Sequence, residues 1–132
     1  VSYDGKMVSL QNAQVLPAPV QRPHPPIWIG GSGRKRTLPL AARFADVWHT
    51  YGSPAQLTEL SAHLDGLARD AGRDPKAIVR AASLSLSEGW DDVRRNADTM
   101  RDIGIGYLVC GWPGEGQDRV AEFAQKIMGE YA

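Results

Sequence analysis

Hydrophobic residues from position 27 onward follow a pattern that predicts alternating strands and helices. Short apolar runs with the length of buried strands occur four times, at Ile27–Gly30, Val47–Thr50, Ile78–Leu86 and Tyr107–Cys110. Apolar residues at helical spacing predict a helix ending near Ala45, one from Ser53 to Gly72, one marked by Val93, Ala97 and Met100, and one in the tail from Val120 to Tyr131. An order of βαβαβαβα with short connections is typical of a parallel sheet covered by helices.

The helix that follows residue 53 has the clearest boundary signals. Ser53 occupies the N-cap position, Pro54 the first helical position, and Gln56 completes a capping box. Gly72 is a natural stop. The apolar residues between these signals share one helical face, and they are Leu57, Leu60, Leu64, Leu67 and Ala71. The spacing therefore predicts an amphipathic helix.

The first 26 residues have a different character. Residues 1–10 alternate around the turn dipeptide Asp4-Gly5, which predicts a hairpin. The passage from Leu16 to Pro26 holds five of the nine prolines, so it is extended and cannot be helical. We expect a strap that leads into the α/β unit.

The length of the chain leaves two architectures open. A closed (β/α)8 barrel takes about 250 residues, so 132 residues supply about half of one. An open, doubly wound sheet of four strands also fits this length. The order of elements alone does not choose between them.

Composition and charge exclude several classes of protein. With 42% hydrophobic and 23% charged residues, the chain has the composition of a soluble globular protein. Fifteen basic and fifteen acidic residues give a net charge of zero, which argues against a nucleic-acid binder. A single cysteine, Cys110, excludes an intrachain disulfide and a Cys-rich zinc site. The apolar runs are too short to span a membrane and no targeting segment is visible, so we expect a cytoplasmic protein without a membrane partner.

A glycine-rich turn between the first strand and the first helix is the sharpest chemical signal. It runs from Gly30 to Gly33 and is followed by three basic residues and Thr37. Glycines allow a close approach of the backbone to an anion, and free amides at a helix N-terminus point toward it. The turn is not a P-loop, and Arg36 stands where a dinucleotide fingerprint has its last glycine. A phosphate site is one interpretation, and a tight turn with solvated charges is the other.

Several blocks of sequence, in order, resemble the luciferase-like monooxygenases. The blocks are Pro25–Gly33, Arg36–Leu38, Ala41–Asp46 and Ala71–Pro75. More narrowly, they are similar to the branch that uses the deazaflavin coenzyme F420. The resemblance begins near Tyr3 and extends to the end of the chain, and it is to the C-terminal half of the family.

The resemblance implies a fold, a cofactor and a division of the chain. The family fold is a (β/α)8 barrel, so we expect an α/β fold of four βα units corresponding to its C-terminal half. Residues 1–26 would be the hairpin and proline-rich lead-in, and residues 27–132 the half-barrel with the cofactor phosphate site. The N-terminal half, which supplies much of the substrate pocket, is not in this chain. The family's cofactor-phosphate turn corresponds to Gly30, Gly31, Ser32, Gly33 and Arg34.

His49 is the candidate catalytic residue. Family members commonly have Asp-Gly-Trp-Asn where this chain has Asp46-Val47-Trp48-His49, so the lining of the pocket differs there. His49 ends a strand, where barrel enzymes place active residues, and its imidazole suits a proton donor or a hydrogen-bond partner of substrate. The alternative is a histidine that is merely hydrogen-bonded at a strand end.

Other polar and aromatic residues are weaker candidates. His24 and His63 are expected on the surface, and three scattered histidines make no metal site. Glu88 and Cys110 lie at strand ends, but a lone thiol in an apolar strand is usually a buried small hydrophobe. Trp112 could wall a ring-shaped ligand, or it could pack.

The sequence therefore predicts an oxidoreductase that transfers hydride between coenzyme F420 and a small organic substrate. The alternatives are an FMN-dependent monooxygenase of the same superfamily and a non-catalytic half-barrel.

An open half-barrel leaves two strand edges unpaired. It also leaves an inward apolar face bare, formed by some subset of Ile27, Ile29, Val47, Ala82, Leu84, Leu108 and Cys110. We expect a homo-oligomer or association with the missing N-terminal half, unless the strap and hairpin cover an edge.

Overall fold

The computed structural model describes residues 1–14 and 16–131. Within these residues, six strands and four α-helices follow in the order β1 Tyr3–Asp4, β2 Ser9–Leu10, β3 Trp28–Gly30, α1 Thr37–Phe44, β4 Val47–Thr50, α2 Pro54–Asp70, β5 Val79–Leu84, α3 Trp90–Asp102, β6 Tyr107–Cys110 and α4 Gln117–Lys126. Two short 3-10 helices lie at Pro75–Ala77 and Met128–Glu130. The four predicted strands of the α/β unit are confirmed, although β3 and β5 are shorter than predicted. Among the described helices, none is long and apolar enough to cross a membrane.

The strand order distinguishes between the two architectures that the length allows. The sheet has the order β3-β4-β5-β6, and each strand is parallel to its neighbour in sequence. A doubly wound sheet reverses its strand order at a switch point, and the four described strands contain no such reversal. The fold therefore has the winding of a partial (β/α)8 barrel.

The helices cover one face of this sheet. Trp48 of β4 packs with α1 and α2, Ala82 of β5 packs with Leu57 of α2, and Leu84 packs with Val93 of α3. Because side chains alternate along a strand, every second residue of β3 to β6 lies on this covered face. The hydrophobic core is thus on the outside of the curved sheet, between the sheet and its helices.

The opposite face of the sheet, here called the bare face, carries the remaining strand residues. Trp28, Val79 and Tyr107 are 46%, 41% and 50% exposed there. The rings of Trp28 and Tyr107, from the two outermost strands, meet edge to face with centroids 5.1 Å apart. Since two strands separate β3 from β6, this contact shows that the bare face is concave, like the interior of a barrel.

Only a small part of the candidate set of inward residues lies on the bare face. Of the candidates, Val47 is on the bare face, beside Trp28 in the sheet register. Ile27 precedes β3, and the other five pack against helices on the covered face, namely Ile29, Ala82, Leu84, Leu108 and Cys110. The strands are apolar on both faces, so their sequences show no alternation that would reveal which residues point inward.

Helix α2 begins as the sequence predicts. The Ser53 side chain accepts a hydrogen bond from the Gln56 amide, and the Gln56 side chain accepts one from the Ser53 amide. This capping box is confirmed, with Pro54 in the first turn. Three of the predicted leucines and Ala68 are buried, whereas Ala71 lies beyond the helix and is exposed.

The lead-in forms the predicted hairpin but does not cover the sheet. β1 and β2 pair antiparallel, and residues 16–26 contain neither helix nor strand. The described hydrogen bonds of the hairpin stay within residues 1–13, including one from the Val1 amino group to the Ala13 carbonyl. The idea that the hairpin shields a strand edge is not supported by this arrangement.

Loops at the amino edge of the sheet are tied by side chains from the family-like blocks. The Asp46 carboxylate accepts a hydrogen bond of 2.7 Å from the Ile27 amide, just before β3. The Arg73 guanidinium donates to the carbonyls of Ala42 and Ala45 at the end of α1. These two residues therefore stabilise the connections that place β3 and β4 side by side.

Candidate functional site

The glycine turn lies at the carboxyl edge of the sheet, between the end of β3 and the start of α1. The Gly31 amide donates a 2.9 Å hydrogen bond to the His49 carbonyl. The Gly31 carbonyl accepts a 2.8 Å hydrogen bond from the indole nitrogen of Trp48, which is fully buried. Strand β4 therefore fixes the first half of the turn. The φ angle of Gly31 is +118°, a conformation that side-chain-bearing residues rarely adopt.

The second half of the turn presents backbone amides. The Leu38 amide donates to the Gly33 carbonyl, while none of the hydrogen bonds described for this part of the chain uses the amides from Ser32 to Thr37. A Cβ atom at Gly33 would lie 2.9 Å from the Thr37 hydroxyl oxygen, so the turn closes tightly over the first residue of α1. Exposed amides at a helix start, held in a glycine turn, fit a phosphate group.

The charge at the start of α1 differs from that at the other helix starts. Helix α2 has its capping box, and the first turns of α3 and α4 contain acidic residues, Asp91 and Asp92 in α3 and Asp118 in α4. Helix α1 has neither a side-chain cap nor an acidic residue in its first turn, and it is preceded by Arg34, Lys35 and Arg36. Cations near the positive end of a helix dipole are unfavourable by about 0.3–1 kcal/mol each. A bound anion would remove this penalty.

A shallow cleft of about 270 Å³ adjoins the turn. It is lined by Ser32, Arg34, Tyr51, Gln56, Glu59 and Leu60. Within it, the Arg34 guanidinium donates a 2.6 Å hydrogen bond to the Glu59 carboxylate of α2. Both side chains are exposed, and such a surface pair contributes little, so Arg34 can exchange this partner for an anion at small cost.

His49 lies on the bare face next to the glycine turn. In the register of the sheet it is opposite Gly30, and its imidazole Nε2 lies 3.2 Å from the Ser83 hydroxyl on β5. The Tyr51 ring meets the imidazole edge to face, with centroids 4.9 Å apart. The half-buried imidazole is thus held from two sides on the concave surface. This geometry suits a group that binds or protonates a ligand lying over the sheet.

Ser83 is a further candidate site residue, one that was not predicted from the sequence. Residues Ala81 and Ser83 alternate with Ala82 and Leu84 along β5, and the small pair is on the bare face. The sequence feature that could have indicated Ser83 is a polar residue at an alternating position within an otherwise apolar strand. Its pairing with His49 depends on the parallel register between β4 and β5, which local sequence does not specify.

The remaining candidates lie away from this site. The Glu88 carboxylate accepts a hydrogen bond from the Asn96 side chain, and His24 is exposed in the lead-in. His63 is half-buried on α2, not fully on the surface as expected. Trp112 is 74% exposed, so most of its surface is not packed against the described residues. Within the described residues, no three His, Cys, Asp or Glu side chains gather as a metal site would require.

Cys110 lies on the covered face and packs against the cluster that contains Leu84 and Val93. Burial raises the pKa of its thiol, because desolvation disfavours the thiolate. Cys110 therefore packs as a small hydrophobe, although it is half-buried rather than buried as the sequence predicts.

Comparison with known protein families shows which family the chain belongs to. A family model described as luciferase-like monooxygenase matches residues 1–128. The chain belongs to the luciferase-like monooxygenase family. The resemblance inferred from the glycine turn and the following blocks is therefore confirmed.

Solved structures share this fold at low sequence identity. A coenzyme F420-dependent tetrahydromethanopterin reductase from Methanopyrus kandleri matches 100% of this chain and 58% of its own length, with 13% identity and a TM-score of 0.79. An F420-dependent secondary alcohol dehydrogenase, solved with an F420-acetone adduct, matches 84% of this chain and 49% of its own length, with 16% identity and a TM-score of 0.70. A riboflavin lyase with modified FMN matches 80% of this chain and 24% of its own length, with 16% identity and a TM-score of 0.51. The chain thus spans about half the length of the first two.

Proposed function

We propose that this chain is the cofactor-phosphate half of an oxidoreductase that uses coenzyme F420 and a small organic substrate. The observation that carries the proposal is the glycine turn at the start of α1. It combines amides without partners with three adjacent basic residues at a helix terminus that lacks a cap. Family membership and the position of the turn at the carboxyl edge of a parallel sheet support the same assignment.

The proposed roles follow from the geometry of the site. The amides of Ser32 and Gly33 and the guanidinium of Arg34 hold the phosphate, while Gly30 and Gly31 shape the turn. Trp48 keeps the turn in place through its bond to the Gly31 carbonyl. The deazaflavin ring, when bound, supplies the hydride chemistry. His49 is the proposed catalytic residue: its imidazole gives a proton or a hydrogen bond to the substrate over the concave face.

F420 is preferred to FMN because of two supporting observations. The two structures with the higher TM-scores are named as F420-dependent, whereas the lyase with modified FMN has a TM-score of 0.51. Three consecutive basic residues also suit a cofactor tail with more negative charge than a single phosphate. FMN remains the second candidate, because its phosphate fits the same amides.

A binding titration tests the proposal on the 132-residue chain. Fluorescence or absorbance is followed on addition of F420, and separately of FMN, with inorganic phosphate as competitor. We expect saturable F420 binding, weaker FMN binding and displacement by phosphate. Tighter binding of FMN would favour the flavin alternative, and binding of neither cofactor would leave a non-catalytic half-barrel.

A further inference from the structure

A cleft of about 420 Å³ opens at the amino edge of the sheet, at the opposite end of the strands from the glycine turn. Its walls are helix α2, the 3-10 helix Pro75–Ala77, the start of β5 and the loop between α3 and β6. β5 is an inner strand that pairs with a neighbour on both sides. The cleft therefore lies between neighbouring elements of the described chain and does not depend on the outer edges of the sheet.

Arg80, the second residue of β5, is a buried charged group in this cleft. Its side chain is 10% exposed. The guanidinium donates through Nη1 to the carbonyls of Pro75 and Ile78, and through Nη2 to the Asp65 carboxylate of α2. A guanidinium has five N–H donors. The hydrogen bonds described for these residues therefore leave the Nε donor and one Nη2 donor available to another acceptor.

The Arg80 charge is only partly compensated by its acidic partner. The Asp65 carboxylate also lies 3.7 Å from the guanidinium of Arg69, so one acidic group serves two arginines. Burial lowers the pKa of Arg80 although Asp65 acts in the opposite direction, which means that desolvation outweighs the pairing. Lys76 adds a second positive charge to the lining, in which Asp65 is the acidic residue. The cleft therefore has a surplus of positive charge.

The rest of the lining combines an unpaired polar atom with an apolar surface. The hydroxyl oxygen of Ser61 on α2 is buried and has no hydrogen-bond partner among the described residues. Buried polar groups are normally paired, because leaving one unpaired is unfavourable. Pro75 and Ile103 give the cleft apolar walls beside these polar groups. A ligand that fits this lining has one negatively charged acceptor group attached to an apolar body.

We propose that the cleft binds a small organic monocarboxylate. The carboxylate accepts hydrogen bonds from the remaining Arg80 donors and from the Ser61 hydroxyl, and its charge balances the surplus of the lining. The apolar body lies against Pro75 and Ile103. A phosphate group, with a charge of about −1.5 to −2 at pH 7, would instead bring excess negative charge next to Asp65. Because the cleft and the glycine turn are at opposite edges of the sheet, this proposal is independent of the proposed function.

A nuclear magnetic resonance titration with benzoate tests the proposal, with benzyl alcohol as an uncharged probe of similar shape. At neutral pH and low salt, benzoate is expected to shift the Arg80 Nε–H signal and the amide signals of Gly104 and Gly106 in a saturable manner. Benzyl alcohol and inorganic phosphate are expected to leave these signals unchanged at the same concentration. The amide signals of Gly31 and Gly33 report on the glycine turn, so anion binding there is distinguished from binding in the cleft.

Substitutions in the lining show whether its charge and its hydroxyl contribute to binding. Lys76→Gln removes an exposed cation and Ser61→Ala removes the unpaired hydroxyl, and each is expected to weaken benzoate binding by at least about threefold. Lys6→Gln, which changes an exposed lysine of the hairpin, is the matched control and should leave the affinity unchanged. Arg80 itself is kept, because its hydrogen bonds to Pro75 and Ile78 also hold the start of β5.

The outcomes of this titration separate recognition of a carboxylate from other binding. Saturable shifts at the cleft that weaken in both lining variants support the proposal. The absence of shifts at Arg80, Gly104 and Gly106 overturns it, and so do benzoate shifts confined to the glycine turn. Equal binding of benzyl alcohol and benzoate also overturns it, because the cleft would then recognise the apolar body without the charge. An affinity unchanged in both Lys76→Gln and Ser61→Ala overturns it as well.

Discussion

The imidazole Nε2 of His49 and the hydroxyl oxygen of Ser83 lie 3.2 Å apart on the concave face of the sheet. The contact joins adjacent parallel strands and holds the ring next to Gly30, the first residue of the glycine turn. His49 therefore lies close to the proposed cofactor site, but it is not among the groups that would hold the phosphate.

This separation predicts that His49 affects turnover more than cofactor affinity. In a preparation that turns over substrate, His49→Ala is expected to lower the rate while the cofactor Kd changes by less than about tenfold, or roughly 1.4 kcal/mol. Ser83→Ala should lower the rate, because it removes the hydroxyl beside the imidazole, and Ser83→Thr, which keeps a hydroxyl, should restore it. An unchanged rate in His49→Ala would show that the imidazole is merely hydrogen-bonded at the strand end and takes no part in turnover.

The bond from Trp48 to the Gly31 carbonyl predicts a specific effect of Trp48→Phe. The phenyl ring keeps most of the apolar burial but loses the N–H donor, so the free energy of unfolding should fall by about 1–3 kcal/mol. Because the turn loses this hydrogen bond, affinity for inorganic phosphate should fall as well.

Ile78→Val, in the same core cluster at the amino edge of the sheet, is the control. It should lower stability by about 0.5–1.5 kcal/mol and leave phosphate affinity unchanged. Equal phosphate affinity in Trp48→Phe and wild type would contradict the anchoring role.

The pair between Arg34 and Glu59 predicts that Glu59→Gln strengthens anion binding. The substitution releases Arg34 and removes a negative charge from the cleft, so the Kd for phosphate should fall about threefold at low salt and less at high salt. Stability should change by less than about 1 kcal/mol, because both side chains are exposed. Glu115→Gln, an exposed change in the β6–α4 loop, is the matched control and should have no effect on either quantity.

Much of the fold could be predicted because its signals are local. The start of α2 follows from Ser53, Pro54 and Gln56, which lie within one turn of each other. Strands β4 and β6 were predicted with their observed bounds. In contrast, the sequence leaves open which strand residues point inward, because apolar residues such as Trp48 and Leu108 cover one face while Val47 and Val109 cover the other.

The candidate site was predictable only in part, for the same physical reason. The glycine turn is a continuous segment, and its position between a strand and a helix is visible in the sequence. The contacts of His49 with Ser83 and of Arg34 with Glu59 span 34 and 25 residues. They depend on how β5 and α2 pack beside the turn, so no local pattern indicates them.

The raised pKa of the Cys110 thiol predicts how stability changes with pH. The folded state keeps the thiol protonated to a higher pH than the unfolded chain does. The contribution is therefore fully present below the unfolded pKa, about 8.5, and is lost as pH rises through the folded value. Denaturant titrations should show wild type losing stability relative to Cys110→Ala above about pH 8.5. A difference between the two proteins that does not vary with pH would contradict the buried environment of this thiol.

The central claim is that the turn from Gly30 to Gly33 binds a phosphate group. Gly33 is a poor place to test it, since any Cβ atom there meets the Thr37 hydroxyl. Ser32 is exposed and can be changed without a steric conflict. Ser32→Asp and Ser32→Asn introduce side chains of nearly the same shape, but only the aspartate carries a negative charge.

Calorimetric titration of both variants with F420 and with inorganic phosphate is the most direct measurement. Ser32→Asn is expected to bind both ligands within about threefold of wild type, a difference of roughly 0.7 kcal/mol. Ser32→Asp should bind each at least about tenfold more weakly, because a carboxylate then occupies the amide cradle in place of the anion. Equal affinities in Ser32→Asp and Ser32→Asn would show that the phosphate is not held at this turn.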